Sequence, residues 1–166
     1  MAPEISEDQV PCDDGRQSPA AAAIARGVVR MMSGLAHASI NELPLASGLR
    51  ADVATLAPDG RIWIIEIKSS VIDFKTDQKW TGYLDYCDAF YFAVQPGFPL
   101  ELLPPDHGVI VADRFGGTIL RDGDIRPPLA AGRRKAMTLR IARIAARRLS
   151  AALDPGLKFE IENLPD

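Results

Sequence analysis

Apolar residues recur at helical intervals near both ends of the chain and form short continuous runs between them. Ser18 and Pro19 suit the N-cap and first position of a helix. This helix is predicted from about 19 to 37, because one face carries apolar residues at spacings of four, three and four: Ile24, Val28, Met31 and Leu35. A long closing helix is predicted from about 129 to 153, between Pro127-Pro128 and the turn Asp154-Pro155-Gly156.

The runs between these two helices predict strands and one further helix. Strands are predicted at 49–56, 61–68, 90–94 and 108–112, and 118–120 is a candidate for a short fifth strand. The segment 41–48 is either a loop or a short edge strand, because Pro44 has no N–H to donate to a neighbour. A helix is predicted from about 74 to 88. This order predicts one α/β or α+β domain over 18–166, in which helices flank a mixed central sheet.

The first two strands are joined by a turn that predicts their register. Pro58-Asp59-Gly60 suits a three-residue hairpin loop, with glycine at the left-handed third position. If Ala57 pairs with Arg61, then Asp52 lies opposite Glu66, although a slip of one residue would break this pairing. The same register places Val53 on the opposite face of the hairpin.

Three charged residues are thereby placed on one otherwise apolar face. Asp52 and Glu66 meet across the strands, and Lys68 lies one step further along. Like charges directly opposite destabilise a sheet and raise each other's pKa unless a cation neutralises them. Lys68 could supply part of that neutralisation, and Mg²⁺ or Mn²⁺ could supply more, because both prefer carboxylate oxygens. The alternative is a surface ion cluster at the wet end of the sheet, with no chemical role.

Composition narrows the classes of protein that this chain can belong to. The 166 residues are 47% hydrophobic and 25% charged, with a net charge of −3, so any nucleic-acid footprint must be local. Cys12 and Cys87 form no disulfide framework, and His37 and His107 complete no metal-type spacing. Residues 1–17 are acidic and polar, which predicts a mobile tail and no signal peptide. We therefore expect a cytoplasmic protein without membrane segments.

The closing helix carries a local concentration of positive charge. The stretch 133–149 has seven basic residues and no acidic one. Four of the arginines fall within an arc of about 80° of the helix: Arg133, Arg140, Arg143 and Arg147. They could bind DNA phosphates, or they could form a solvated face whose side-chain stems cover the core. Arg50 lies closer to the carboxylates, and Trp80 and Tyr83 either stack on bases or pack in the core.

The chain also resembles a known family. Asp-x13-Glu-x-Lys on a hairpin behind a helix is similar to the PD-(D/E)XK nuclease superfamily, and 47–70 resembles its Holliday-junction resolvase and RecB-like branches. The wider pattern resembles the MmcB-like family of proposed bacterial DNA-repair endonucleases. The residues that carry this resemblance are RADV at 50–53, IWIIEIKSS at 62–70, DFKTDQKW at 73–80, YLDYCDAFYFAV at 83–94 and GVIVAD at 108–113. It implies a restriction-endonuclease-like core of helix, strands, helix and strand.

The resemblance also implies roles for individual residues. Asp52, Glu66 and the backbone carbonyl of Ile67 would bind Mg²⁺ or Mn²⁺, and Lys68 would orient the attacking water or stabilise the developing charge. Glu42 is a candidate for a further acid, although it follows the first helix, whereas many members carry this acid on that helix. Lys79 and Tyr83 occupy the spacing at which RecB-like members carry Gln-x3-Tyr, and Ala51 replaces the proline of the motif. Lys79 could face the phosphate or be an ordinary exposed lysine.

Two classes of function therefore compete. The first is a DNA-repair endonuclease that hydrolyses phosphodiester bonds with a divalent metal, with DNA and other repair proteins as partners. The second is a catalytically silent module on the same fold that binds DNA or a partner protein, and a weaker third is a structural α/β protein. The resembled junction enzymes act as homodimers, but no dimerisation stripe is evident from the sequence.

Overall fold

The computed structural model describes residues 17–123 and 126–157. The predicted tail, 1–17, lies outside this range except for its last residue. The helices are α1 (Pro19–Gly34), α2 (Val71–Thr76) and α3 (Ala131–Leu153), with 3-10 segments at Lys79–Tyr86 and Leu100–Leu102. The strands are β1 (Ala38–Pro44), β2 (Arg50–Leu56), β3 (Ile62–Lys68), β4 (Ala89–Val94), β5 (Gly108–Ala112) and β6 (Gly117–Arg121).

The six strands form one mixed sheet in the order in which they occur along the chain. β1, β2 and β3 are antiparallel neighbours, β3 pairs parallel with β4 and β4 with β5, and β6 returns antiparallel to β5. Helices cover both faces of the sheet, so the predicted α+β class is confirmed. No helix within 17–123 and 126–157 is both long enough and apolar enough to cross a bilayer.

The hairpin formed by β2 and β3 has the predicted register. Val53 lies opposite Ile65, and the N–H of Ala57 donates to the carbonyl of Arg61 at 2.8 Å. Gly60 has φ +82°, the left-handed conformation that the loop requires. The two faces are also as predicted. Val53, Ile65 and Ile67 pack against α1, whereas Ala54, Ile62 and Ile64 pack in the cluster that includes Met137, Ile141 and Ile144 of α3.

Two element boundaries at the start of the sheet differ from the prediction. α1 ends at Gly34 rather than near 37, because Ala36 takes a left-handed φ of 59° and the chain turns into β1. Of the segment 41–48, predicted as a loop or a short edge strand, residues 41–44 end the edge strand β1 and residues 45–48 form a turn. Pro44 is the last residue of β1, a position at which a missing N–H is tolerated.

The helix predicted from about 74 to 88 is wrong. The chain forms the short helix α2, breaks at Asp77, and continues as the 3-10 segment Lys79–Tyr86. Asp77 leaves helical geometry, with φ −91° and ψ 107°, and its carboxylate accepts the N–H of Lys79 at 2.8 Å. Local bonds from an aspartate side chain to the backbone compete with helix formation, which explains the break.

Candidate active site at the end of strand β3

The candidate site lies where β2 and β3 separate. Their ladder ends with Val53 opposite Ile65, one pair before Asp52 and Glu66. Hydrogen-bonded pairs alternate along antiparallel strands, so a continued ladder would direct the N–H of Ile67 to the carbonyl of Ala51. Instead this N–H donates to Oδ2 of Asp52 at 2.8 Å. The side chain of Asp52 therefore replaces a backbone bond and holds the opened end of the hairpin.

A buried ion cluster fills this opening. Glu66 is 6% exposed and Lys68 is 2% exposed. Nζ of Lys68 donates to Oε1 of Glu66 at 3.3 Å and also to Oδ2 of Asp77. The other oxygen of Glu66, Oε2, is buried and has no hydrogen-bond partner. With Asp52 beside it, the cluster has more carboxylates than cations.

Burial, together with this excess of carboxylates, raises the pKa of both predicted metal-binding carboxylates, Asp52 and Glu66. Burial raises the pKa of Glu66 to about 8, and the charge of Asp52 adds to this effect while Lys68 opposes it. Burial also raises the pKa of Asp52, against the opposing influence of the Ile67 N–H and of Lys68. Burial lowers the pKa of Lys68, but Glu66 and Asp77 outweigh this and leave its pKa raised. Lys68 thus remains an ammonium, whereas Asp52 and Glu66 hold their protons to a higher pH than ordinary carboxylic acids.

Asp77 belongs to the cluster, although the sequence indicated no functional role for it. Burial tends to raise its pKa, but the bonds from Lys68 and the Lys79 N–H outweigh this effect and lower it. Nearby Asp73 accepts both the N–H and the hydroxyl of Ser69, at 2.9 and 3.1 Å, and so shapes the turn after β3. The sequence signal for Asp77 was weak, because the predicted helix from about 74 to 88 made it an ordinary helical position.

The donors available for a divalent cation are Asp52, the unpartnered oxygen of Glu66, and the carbonyl of Ile67. The N–H of Ile67 points towards β2, and the carbonyl of a strand residue points to the same side as its N–H. Within the described residues, no three His, Cys, Asp or Glu side chains form a metal-binding group. Two carboxylates, one carbonyl and water nevertheless suit Mg²⁺, which retains several waters. The buried, unpartnered Oε2 of Glu66 shows that these residues fit such an ion.

Glu42 and Arg50 form a separate pair beside the cluster. Glu42 lies in β1 with a left-handed φ of 50°, and its carboxylate is 3.7 Å from the guanidinium of Arg50. Both side chains are about half exposed. The structure therefore pairs Glu42 with Arg50 and shows no contact between Glu42 and Lys68.

The aromatic residues of the 3-10 segment pack in the core. The ring of Trp80 lies 4.9 Å from that of His107 and 5.3 Å from that of Phe92. Tyr83 is 5% exposed, and its hydroxyl donates to the carbonyl of Arg50 at 2.9 Å. Tyr83 is therefore buried in the core, whereas Trp80 is partly buried and packs against it with part of its surface exposed. Lys79 is exposed at the start of the same segment.

The arginines of α3 contact several parts of the domain. Arg133 donates to the carbonyl of Asp85 at 3.1 Å, and Arg140 approaches the carbonyl of Pro44 at 3.5 Å. Arg148, which was not among the predicted DNA-binding residues, donates to the carbonyls of Asn41 and Glu42 in β1. Arg143 is exposed and Arg147 is partly buried. Arg140 and Arg148 therefore hydrogen-bond α3 to the edge strand β1.

Fold and site together define an α+β protein whose mixed sheet holds a buried carboxylate–lysine cluster at the end of β3. The family model of the DNA repair protein MmcB-like family matches residues 8–156, and the chain belongs to this family. A solved structure of SPO1766, a protein of unknown function from Silicibacter pomeroyi, is 43% identical and superimposes with a TM-score of 0.82. The match covers 87% of this chain and 100% of that one. No curated protein matches the chain.

Proposed function

We propose that this DNA-repair-family protein is an endonuclease of the PD-(D/E)XK type that hydrolyses DNA phosphodiester bonds with Mg²⁺ or Mn²⁺. The supporting observation is the buried oxygen of Glu66 that has no partner, next to Asp52 and Lys68. A buried carboxylate with unmet bonding capacity is expensive unless a cation binds it. The restriction-endonuclease-like arrangement of hairpin, helix and parallel strand agrees with this assignment.

The residues of the cluster would have different roles in hydrolysis. Asp52, Glu66 and the carbonyl of Ile67 would hold the cation, which when bound supplies an activated water and stabilises charge on the phosphate. Lys68 would donate hydrogen bonds to the attacked phosphate or to the water. Because Lys68 is almost fully buried, its position is determined by Glu66 and Asp77 rather than by solvent.

DNA would be held by basic side chains around the cluster and on α3. Arg50 and Lys79 are exposed; Arg50 lies on β2 with Asp52, and Lys79 follows Asp77 by two positions. On α3 we assign phosphate contacts to Arg133, Arg140, Arg143 and Arg147. Such contacts carry no base specificity, and the resulting affinity should fall steeply with salt.

One observation favours the alternative, a catalytically silent module that binds DNA or a partner protein. The ammonium of Lys68 uses two of its three N–H donors on Glu66 and Asp77, and the residue is only 2% exposed. If the third donor stays buried, the chain could bind metal and DNA without cleaving.

Cleavage assays decide between the two proposals. Branched, nicked, duplex and single-stranded DNAs would be incubated with the protein and Mg²⁺ or Mn²⁺. We expect Asp52→Asn, Glu66→Gln and Lys68→Met each to reduce cleavage by roughly a hundredfold or more. Asp59→Asn, at an exposed carboxylate of the hairpin loop, is the matched control and should cleave normally.

Metal binding is measured separately by thermal denaturation. Saturating Mn²⁺ should raise the melting temperature of the wild type and of Asp59→Asn, but not of Glu66→Gln. A metal-dependent shift without cleavage of any DNA would support the silent module. Neither shift nor cleavage would refute the nuclease, and an additional lack of DNA affinity would leave a structural ion cluster.

A further inference from the structure

Helix α3 has apolar side chains on two opposite faces. One face, with Met137, Ile141 and Ile144, is buried against the sheet. The other is exposed to solvent, and we call it the outer stripe. Its members are Leu139, Ala142, Ala146, Leu149 and Leu153. The exposed fractions of its three leucines are 53%, 62% and 79%.

The outer stripe has the spacing of a helix–helix seam. Its residues follow one another at intervals of three, four, three and four, which confines them to an arc of about 80° on a helix. This arc lies roughly 160° from the buried face, so the sheet that covers one face leaves the other without a partner among residues 17–123 and 126–157. Leucines exposed singly are ordinary, but an ordered stripe along four turns marks a contact surface.

The pattern of the outer stripe is self-complementary. From Leu139 to Leu149 it reads Leu, Ala, Ala, Leu with spacings of three, four and three, which is the same in both directions. Two copies of α3 placed antiparallel would therefore set Leu139 against Leu149 of the second copy, and Ala142 against Ala146. Large residues at the ends and small ones in the centre let the helices approach closely without a clash. Two-fold symmetric contacts of this kind are the commonest in homo-oligomers.

A groove at the start of α3 extends the same contact. It has a volume of about 580 Å³, and its lining includes Leu129, Lys135 and Leu139. In the antiparallel register, Leu153 of the second copy falls opposite Lys135, at this groove. Leu153 is the most exposed leucine of the stripe. Each copy thus offers both a protruding leucine and a groove to receive one.

We propose that this protein forms an antiparallel homodimer through the outer stripe of α3. The contact is small, since 15 residues of helix from 139 to 153 extend about 22 Å. The surface area that a contact of this length buries lies near or below the roughly 1,200 Å² that stable interfaces bury. The dimer should therefore dissociate at micromolar concentrations. Arg143 is the charged residue that would lie beside its own copy near the dyad, and salt should screen this repulsion.

The dimer has a consequence for DNA binding that rests on the proposed function. Arg140, Arg143 and Arg147 lie on the same side of the outer stripe. In an antiparallel pair this side is shared by both copies, so the two sets of arginines would form one continuous basic surface. Dimerisation would then increase the number of phosphate contacts and steepen the salt dependence of DNA affinity.

Sedimentation equilibrium of the full chain, without DNA or metal, tests the dimer. We expect reversible dimerisation of the wild type and an at least roughly tenfold weaker association of Leu149→Glu. Leu120→Glu is the matched control, because Leu120 on β6 is 54% exposed and lies outside the stripe. It should dimerise as the wild type does.

A double variant tests the register itself. In Leu139→Glu/Leu149→Lys, the antiparallel pairing would bring opposite charges together twice and restore association relative to Leu149→Glu. A parallel pairing would bring like charges together and would not restore it.

A wild type that stays monomeric at all concentrations would overturn the proposal, including the case in which the acidic residues 1–16 cover the stripe instead. Equal association of Leu149→Glu and Leu120→Glu would overturn it as well. Because the measurement involves neither DNA nor metal, its failure is distinct from failure of the nuclease proposal.

Discussion

Strand β3 has a buried carboxylate near each of its ends, and the two are satisfied to very different degrees. Asp88 lies beside the first residue of β3 and is 7% exposed. It accepts the N–H of Ile62 at 2.8 Å, the N–H of Leu129 at 2.9 Å, and two bonds from Arg134 at 2.8 and 2.7 Å. Burial tends to raise its pKa, but these bonds outweigh burial and lower it.

Glu66, near the other end of the same strand, is as little exposed to solvent but lies deeper in the protein and is not compensated. Lys68 donates to its Oε1, its Oε2 has no partner, and its pKa is raised to about 8. Low solvent exposure alone therefore does not distinguish a compensated carboxylate from an uncompensated one. The two ends of β3 differ in the number of hydrogen-bond donors that reach each carboxylate. Of these two carboxylates, Glu66 is the one with an oxygen that no donor reaches and that a cation could bind.

The largest effect is expected when the fully hydrogen-bonded carboxylate, Asp88, is replaced. Asp88→Asn should reduce the free energy of unfolding by about 3 kcal/mol, because Arg134 and two backbone N–H groups lose an ionised partner. Urea denaturation measures the change. Asp59→Asn, in the exposed pair with Arg61, should leave the unfolding midpoint unchanged. Equal effects of the two variants would show that the Asp88 pair contributes no more than a surface pair.

Replacing Glu66, near the other end of β3, should increase the free energy of unfolding instead. Without metal at pH 9, Glu66→Gln should stabilise the protein by about 1 kcal/mol, because a neutral amide removes a carboxylate that burial keeps protonated up to about pH 8. Lys68 keeps its bond to Asp77 in this variant. The same denaturation series measures the change, and a clear loss of stability in Glu66→Gln would contradict it.

The pH dependence of stability should separate the two carboxylates further. Glu66 holds its proton more tightly in the folded chain, where its pKa is about 8, than in the unfolded chain, where it is near 4.5. Its contribution is therefore complete below about pH 4.5 and is lost as pH rises towards 8, with a slope of at most about 1.4 kcal/mol per pH unit. The pKa of Asp88 is lowered, so its contribution is present at neutral pH and is lost in acid.

Melting temperatures between pH 5 and 9 in EDTA measure this difference. The wild type should lose more stability across the range than Glu66→Gln, and saturating Mn²⁺ should reduce the loss by favouring the ionised carboxylate. Parallel curves for the two proteins would show that Glu66 titrates normally.

The last expected effect concerns catalysis and Asp77. Asp77→Asn should leave Lys68 with a single ionised partner and reduce cleavage roughly tenfold, as the loss of a supporting hydrogen bond commonly does. Asp85→Asn, at an exposed residue of the same 3-10 segment, is the control. Faster cleavage by Asp77→Asn would show that Asp77 restrains Lys68 rather than positioning it.

Local chemistry explains which parts of this molecule could be predicted. The loop Pro58-Asp59-Gly60 determines the hairpin register by itself. The shared face of Asp52, Glu66 and Lys68 could therefore be predicted from their distance from the loop along the chain. The contact between Asp77 and Lys68 could not be predicted in this way. Lys68 lies nine positions away in sequence and is brought close by the turn after β3.

The outer stripe of α3 was not recognised for a related reason. From the sequence, the helix showed a basic arc, and nothing indicated which leucines the sheet would leave uncovered. The burial of Met137, Ile141 and Ile144 leaves the opposite face without a partner in the described part of the chain.

The sequence alone determined the family resemblance, the alternation of helices and strands, and the side of the hairpin on which the charged residues lie, because these depend on spacing and turn chemistry. Tertiary structure decided which charges are compensated. Asp88 meets Arg134 across 46 positions of sequence, whereas no such partner reaches Oε2 of Glu66. Compensation requires groups that only packing brings within hydrogen-bond distance, and such distances cannot be read from spacing along the chain.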